Sequence, residues 1–343
     1  MHFKHVCLHA FGYALPPRVV SSDEIEQRLA PVYQRLKLPF GRLEMMSGIQ
    51  ERRFWESGTK PSAAATLAGQ AALDQAGLPA AAIDCLLFTS VSRDLLEPAS
   101  ASFVHHRLDL PAECLTFDLS NACLGFLDGM LVLAGLIEQG VVKNGLIVAG
   151  ETAEDLVEST IAALLADQSL TRQSIKPSFA SLTIGSGAVA LVMGDSRLYD
   201  TGHRLIGGAW RADSSQSHLC RGRSTKGGIL MATDSEQLLS RGVETARATW
   251  QSFLQNLGWP PASMARYYCH QVGQAHANRL NAALELEPAK SIESFARFGN
   301  IGSVAAPLTM ALDIEQGGLV SGERAALLGI GSGIACLMLG VEW

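Results

Sequence analysis

Cys123 is the side chain of this sequence best placed to act as a nucleophile. It lies in the segment Thr116-Phe-Asp-Leu-Ser-Asn-Ala-Cys-Leu-Gly-Phe-Leu-Asp-Gly-Met130, whose pattern predicts a strand leading into a helix. A thiol at a helix N-terminus is close to unpaired N–H groups and to the positive end of the helix dipole, and both lower its pKa. The segment therefore predicts a reactive thiolate. From position alone, Cys123 could instead be a small core residue.

Two polar side chains in the second half of the chain could stabilise negative charge on a substrate. His270, in Cys269-His-Gln-Val272, ends a predicted strand, and Asn300, in Phe298-Gly-Asn-Ile-Gly-Ser303, precedes a predicted helix. An imidazole and a carboxamide that meet at strand ends can donate two hydrogen bonds to a thioester carbonyl. Taken singly, His270 could be a structural histidine and Asn300 a helix N-cap.

The elements that would position these residues belong to an internal duplication. Segment 72–91 aligns without gaps with 253–272, and segment 183–194 aligns with 329–340. In the first pair an amphipathic helix ends at Gly-x-Pro and an apolar strand follows, which is typical of a βαβ unit. In the second pair a glycine-rich turn leads into a buried strand. Two aligned pairs of segments in the same order predict that the chain contains two similar halves.

The alternation of strands and helices predicts an α/β fold in which helices cover both faces of the sheets. We expect an N-terminal half at 1–195 and a C-terminal half at 196–343, with an insertion at about 151–180 that could line a substrate channel. The predicted strands are 84–90, 115–119, 144–149, 183–193, 266–271, 325–330 and 334–341. The predicted helices are 62–76, 98–108, 122–139, 240–257 and 303–316.

Composition excludes several classes of protein. With 343 residues, 48% of them hydrophobic, the chain can bury a large core. Its net charge of -6 and lack of long Lys/Arg runs argue against nucleic acid as a partner. No secretory signal and no long apolar stretch occur, which predicts a cytoplasmic protein with no integral membrane association. Seven widely spaced cysteines without a CxxC pair predict neither disulfides nor a zinc site, and we expect no metal and no cofactor.

The motifs SNACLGF, HQV, FGNIGS and LLGIGSG, in this order and spacing, resemble the ketoacyl-synthase III branch of the thiolase superfamily. The resemblance covers essentially the whole chain and is closest to OleA-like enzymes, which join two fatty acyl-CoA molecules head to head. It implies a thiolase-like five-layer αβαβα fold built from two duplicated halves, and a homodimer. It also implies that Cys123, His270 and Asn300 form one catalytic site.

The same resemblance gives roles to two further residues. Glu97, in Leu96-Glu-Pro-Ala-Ser100, matches a glutamate that in OleA-like enzymes reaches the partner subunit's site and is assigned the role of base. A carboxylate suits the removal of an α-proton, which a condensation without loss of CO2 requires. From its sequence context alone, Glu97 could belong to a solvated loop. The backbone N–H groups of Cys123 and Ser332 would form the oxyanion hole.

The resemblance implies an acyltransferase that takes acyl-CoA or acyl-carrier-protein thioesters as substrates. Cys123 would receive an acyl group, and the carbanion of a second thioester would attack it to give a β-keto product. One alternative is a decarboxylating 3-oxoacyl synthase III, which uses malonyl on acyl carrier protein or CoA and needs no base at Glu97. Another is a catalytically silent partner of a ketosynthase. A thiolase proper fits less well, because Cys336, the candidate for its second cysteine, lies in a predicted strand.

Overall fold

A nine-stranded mixed sheet, with helices on both faces, forms the framework of the molecule. The computed structural model describes residues 1–199, 202–225 and 228–343. The strands are β1 Val6–Ala14, β2 Arg18–Ser21, β3 Glu51–Phe54, β4 Cys85–Phe88, β5 Leu115–Asp118, β6 Asn144–Glu151, β7 Gly187–Asp195, β8 Arg204–Ala212, β9 Cys220–Thr225, β10 Gly228–Thr233, β11 Met264–Cys269, β12 Arg324–Gly331 and β13 Ala335–Glu342. The helices are α1 Ser22–Arg28, α2 Ala30–Leu36, α3 Arg42–Ser47, α4 Pro61–Ala76, α5 Ser100–Arg107, α6 Gly125–Glu138, α7 Glu154–Ala166, α8 Ser235–Leu257, α9 Gln274–Leu284, α10 Phe295–Phe298 and α11 Ala305–Glu315.

The sheet repeats one strand order. Its first part runs β5-β4-β6-β7-β1, and its second part mirrors this as β8-β13-β12-β11. In each part the inner pair, β4/β6 or β11/β12, is parallel and the next two pairings are antiparallel. The two parts join where β1 and β8 pair at Cys7 and Arg204. The repeat agrees with an internal duplication. The predicted boundary after residue 195 falls between β7 and β8, and the exact division stays a prediction.

Three apolar clusters stack the elements in five layers. The central layer is α6 and α11, where Leu127 and Leu308 pack between the two parts of the sheet. On the outer face of the first part, α4 and α5 pack against β4, β6 and β7. On the outer face of the second part, α8 and α9 pack against β11, β12 and β13, with Phe253 fully buried. Each fully buried Leu or Phe contributes about 1.5–3 kcal/mol. The predicted five-layer α/β fold is confirmed.

Equivalent glycines end the equivalent outer helices. Gly77 after α4 and Gly258 after α8 have φ angles of 62° and 65°, in the left-handed region that glycine adopts at little cost. Each is followed by a short loop and then by an inner strand, β4 or β11. The Gly-x-Pro breaks in the sequence therefore predicted both helix ends correctly.

A cap covers the carboxyl ends of the strands. It comprises α7, a 3₁₀ segment at Lys176–Thr183 and the hairpin β9–β10. The Ser181 hydroxyl donates to the Met231 carbonyl at 3.2 Å and ties the 3₁₀ segment to the hairpin. The predicted insertion at 151–180 thus contains helix α7 and the start of the 3₁₀ segment. Within the described residues no helix is long and apolar enough to span a bilayer.

Candidate active site

A cavity of about 630 Å³ lies between the strand ends and the cap. Cys123, His270, Asn300 and Ser332, all predicted from the sequence, line its wall. Most of the remaining wall is apolar and includes Leu43, Met46, Leu156, Phe179, Ile229 and Met231. A second groove, of about 730 Å³, is more polar and contains none of the predicted residues. The first cavity therefore has the composition expected of a site for a fatty thioester.

The loop between β5 and α6 presents Cys123 to the cavity. Ala122 has a φ of 47°, in the left-handed region, so the chain turns sharply just before the cysteine. Gly125, the first residue of α6, packs directly on the end of β4. A Cβ atom at this position would lie 2.2 Å from the Thr89 carbonyl oxygen. The glycine thus allows the helix N-terminus to approach the sheet and places Cys123 beside the strand ends.

The thiol of Cys123 is not activated in this structure. Burial raises its pKa to about 12, and the Glu151 carboxylate and the Cys220 thiol act in the same direction. The cysteine's own backbone N–H lowers the pKa, but by less. The predicted lowering of this pKa is therefore wrong. Helix α6 begins only two residues later, and burial raises the pKa. The raised pKa favours the protonated thiol before substrate binds.

His270 follows β11 as a neutral imidazole. Its side chain is 5% exposed, and its backbone N–H donates to the Leu328 carbonyl at 2.9 Å. Burial, with a smaller contribution from His276, lowers its pKa to about 3. Its Nδ1 is buried and finds no hydrogen-bond partner among the described residues. A neutral imidazole can donate one hydrogen bond to a substrate carbonyl without carrying a charge.

Asn300 is held in a defined orientation by its own loop. Its N–H donates to the Thr183 carbonyl, and its carbonyl accepts from the Gly185 N–H, both at 2.9 Å. The side-chain Oδ1 accepts from the Gly302 N–H at 3.1 Å, so the Nδ2 amide group is left for the cavity. Helix α11 has Val304 as its N-cap residue. Asn300 is therefore not the cap of that helix.

Ser332 lies in the turn between β12 and β13 and lines the same cavity as Cys123. In the described part of the chain, neither the Ser332 N–H nor the Cys123 N–H donates to a backbone carbonyl. Unpaired N–H groups at a cavity wall are suited to accept the negative oxygen of a tetrahedral intermediate. The arrangement agrees with the predicted oxyanion hole.

Glu97 does not line the cavity of its own chain. It lies in the loop between β4 and α5 and is exposed, next to Leu95 and Leu96, which are 52% and 96% exposed. A role for Glu97 in catalysis therefore requires a second copy of the chain, as the resemblance implied.

Comparison with known proteins assigns the family. Models of 3-oxoacyl-[acyl-carrier-protein] synthase III match residues 117–214, and its C-terminal model matches 254–343. The chain is 38% identical to an acyl-CoA:acyl-CoA alkyltransferase of Shewanella oneidensis and 37% identical to one of Xanthomonas campestris, with 100% of each chain covered. The chain belongs to the ketoacyl-synthase III family. It is thus a thiolase-like condensing enzyme of the acyltransferase class.

Within the ketoacyl-synthase III family, the chain is more similar to OleA than to a β-ketoacyl-[acyl-carrier-protein] synthase. A crystal structure of Xanthomonas campestris OleA superposes with a TM-score of 0.96 at 36% identity, covering 100% of this chain and 98% of that one. The β-ketoacyl-[acyl-carrier-protein] synthase III 2 of Streptomyces coelicolor is 26% identical over 97% of this chain and 92% of its own. The chain therefore groups with OleA.

The structure adds three residues to the cavity wall of this ketoacyl synthase that sequence analysis missed. They are Glu151 at the end of β6, Cys220 in β9 and His276 in α9. Glu151 had a weak signal, as an acidic residue that ends a buried apolar run. Cys220 and His276 had none, because the hairpin and the start of α9 meet the cavity only through tertiary folding.

Proposed function

We propose that this protein condenses two fatty acyl-CoA thioesters head to head, without loss of CO2, to a β-keto product. The observation that carries the proposal is the apolar cavity in which Cys123, His270 and Asn300 meet. The full-length similarity to acyl-CoA:acyl-CoA alkyltransferases supports acyl-CoA as the substrate.

In the first step Cys123 is acylated. Its sulfur attacks the carbonyl carbon of one acyl-CoA, and the carbonyl oxygen becomes an oxyanion that accepts hydrogen bonds from the Cys123 and Ser332 N–H groups. The carbon–sulfur bond to CoA then breaks. The proton of the Cys123 thiol leaves on the CoA sulfur, so the acyl-enzyme carries no new charge.

In the second step another acyl-CoA becomes the carbon nucleophile. Its thioester carbonyl accepts hydrogen bonds from the His270 imidazole and the Asn300 Nδ2 group, which stabilise the enolate formed when a base removes the α-proton. The α-carbon attacks the acyl-Cys123 carbonyl, and the Cys123 sulfur departs and takes up the proton that the base removed. The product is a β-ketoacyl-CoA in which the two fatty acyl chains are joined.

We assign the base to Glu97 of a second subunit in a homodimer. In the described residues β5 pairs only with β4, so its outer edge is open for a symmetric partner. Solved OleA structures include forms in which one cysteine, one glutamate or one histidine is replaced. In that chain the replaced cysteine and glutamate are as many residues apart as Cys123 and Glu97 are here.

The test is to incubate the purified protein with a long-chain acyl-CoA alone. CoA release is followed, and the products are analysed by mass spectrometry, with Cys123→Ala as the control. A product that contains two acyl chains supports the proposal. If Cys123 gains one acyl group and the reaction stops until a malonyl thioester is added, the enzyme is a decarboxylating synthase III and the head-to-head reaction is ruled out.

A further inference from the structure

A buried carboxylate on the cavity wall takes no part in the steps described above. Glu151 is 5% exposed and lines the cavity together with Cys123 and Asn300. Within the described residues it forms no ion pair. Burial of an ionised carboxylate costs several kcal/mol unless hydrogen bonds replace its hydration. Its hydrogen-bond partners therefore show why it is tolerated there.

Two loops supply five hydrogen bonds to Glu151. Its Oε1 accepts from the Val91 N–H at 2.9 Å, from the Ser303 hydroxyl at 2.8 Å and more weakly from the Ser303 N–H at 3.4 Å. Its Oε2 accepts from the Ser92 N–H at 3.0 Å and from the Ser92 hydroxyl at 2.9 Å. These N–H and O–H donors replace the hydration that the buried carboxylate loses.

The two loops are those that carry other residues of the proposed mechanism. Residues 91 and 92 begin the loop that leads to Glu97, and Ser303 follows the segment of Asn300. The second loop lies close against the carboxylate. A Cβ atom at Gly302 would be 3.0 Å from Glu151 Oε1. Glu151 thus connects a loop of the N-terminal half with a loop of the C-terminal half.

We propose that Glu151 is a positioning residue whose carboxylate holds the Asn300 loop against the Glu97 loop and places a negative charge on the cavity wall that also carries the Cys123 thiol. The roles of Asn300 and Glu97 in this statement rest on the proposed function. The charge disfavours a thiolate in the resting enzyme, whereas the neutral acyl-cysteine is not affected. Glu151 thereby protects the free thiol from electrophiles and leaves the acylated form unhindered.

Among the residues that the structure describes, the other titratable or cationic groups on the cavity wall do not cancel this charge. They are Cys220, Arg223, His270 and His276. Burial lowers the pKa of His270 to about 3 and that of His276 to about 4, so both are neutral near pH 7. Arg223 is exposed in the β9 strand, where solvent screens it.

The test compares Glu151→Gln, which removes the charge, with Glu151→Asp, which keeps it on a shorter side chain. The first measurement is the rate of iodoacetamide alkylation of Cys123 between pH 7 and 9, assigned by peptide mass spectrometry so that Cys220 is counted separately. We expect Glu151→Gln to raise this rate about tenfold, because a neighbouring like charge shifts a pKa by about one unit. Glu151→Asp should react at nearly the wild-type rate.

The second measurement is condensation of acyl-CoA. Both variants should lower kcat by about tenfold or more with little change in KM, because neither side chain can hold both loops as glutamate does. Alkylation requires no acyl-CoA. If the wild-type enzyme fails to condense acyl-CoA, the proposed function fails while the alkylation rates still test the charge of Glu151.

Glu26→Gln is the matched control. Glu26 is a fully buried carboxylate that accepts from the Tyr33 hydroxyl at 3.0 Å and the Leu43 N–H at 2.6 Å, and it does not line the cavity. The Glu26→Gln variant should be less stable than the wild-type protein, as Glu151→Gln should be. Its Cys123 should nevertheless be alkylated at the wild-type rate. An unchanged alkylation rate in Glu151→Gln, or wild-type kcat in both Glu151 variants, would overturn the proposal.

Discussion

The opposed pKa values of Cys123 and His270 constrain how acylation begins. Burial raises the first to about 12 and lowers the second to about 3, so transfer of the thiol proton to the imidazole before substrate binds is strongly unfavourable. The site therefore differs from one that stores a thiolate–imidazolium pair. In the proposed mechanism His270 therefore acts as a neutral hydrogen-bond donor.

This electrostatic state predicts the pH dependence of the first step. The rate of CoA release in a single turnover should rise about tenfold per pH unit between pH 6 and 9, because the thiolate fraction of Cys123 rises in that proportion below its pKa. Stopped-flow measurement with saturating acyl-CoA would check it. An inflection near pH 6.5 would show that His270 titrates, and would contradict the assignment of a neutral imidazole.

The resemblance carried by four short motifs was enough to predict Cys123, His270, Asn300 and Ser332 as site residues, and the structure places all four on one cavity. Glu151 could not be predicted in this way. Its donors, Val91, Ser92 and Ser303, are distant in sequence, so its importance follows only from the folded arrangement. The pKa of Cys123 was mispredicted for a related reason, since burial is a property of the whole cavity.

Helix α6 offers a matched pair of glycines that tests how it positions the nucleophile. A Cβ atom at Gly125 would meet the Thr89 carbonyl at 2.2 Å, whereas one at Gly135 would meet nothing within 4 Å. Gly125→Ala should cost about 1–3 kcal/mol and slow acylation of Cys123, because the helix must move off the sheet. Gly135→Ala should stabilise the protein by about 0.5–1 kcal/mol.

Urea unfolding and single-turnover CoA release on both variants would measure these effects. If Gly125→Ala were as stable and as active as Gly135→Ala, the close approach of α6 to β4 would not control the nucleophile.

At the level of elements, the sequence predicted the long apolar helices and inner strands to within a few residues but missed others. Helix α7 was not among the predicted helices, although Val157, Ile161 and Leu164 are spaced as on one buried helix face. Strand β8 was missed because it contains two adjacent glycines. Gly207 is required by the N-terminal segment, since a Cβ there would lie 2.2 Å from the Met1 carbonyl oxygen. A contact between residues so far apart in the chain cannot be predicted from the sequence around Gly207.

Two histidines that are neutral in the folded state, the buried His270 and the partly buried His276, couple the stability of the whole molecule to pH. The unfolded chain protonates them near pH 6.5, whereas burial lowers the pKa of His270 to about 3 and that of His276 to about 4. The stability that they contribute is therefore present above pH 6.5 and is lost as the pH falls from there toward 4. Each adds up to about 1.4 kcal/mol per pH unit to the slope.

His276→Gln should accordingly flatten the dependence of unfolding free energy on pH between 6 and 4.5. Urea denaturation at half-unit intervals would show it. A slope equal to that of the wild-type protein would mean that His276 is already protonated in the folded state or remains solvated.

The proposed homodimer makes a further prediction at the scale of the assembly. Cys123→Ala and Glu97→Ala should each be inactive in condensation, while an equal mixture that has exchanged subunits should regain about a quarter of wild-type activity. The heterodimer, half of the dimers formed, then contains one site with both residues intact. Activity that stays absent after exchange, confirmed by mass spectrometry of the mixed dimer, would place Glu97 outside the partner's site.

The two central helices, α6 and α11, occupy equivalent places in the repeated topology, and the loop before each delivers a side chain to the same cavity. In one copy that side chain is Cys123, and in the other it is Asn300. In the proposed reaction the first copy carries the covalent intermediate and the second stabilises the enolate. The repeated topology is therefore symmetric in architecture but asymmetric in the side chains that it delivers. A chain built from two copies of one half would lack either the thiol or the carboxamide.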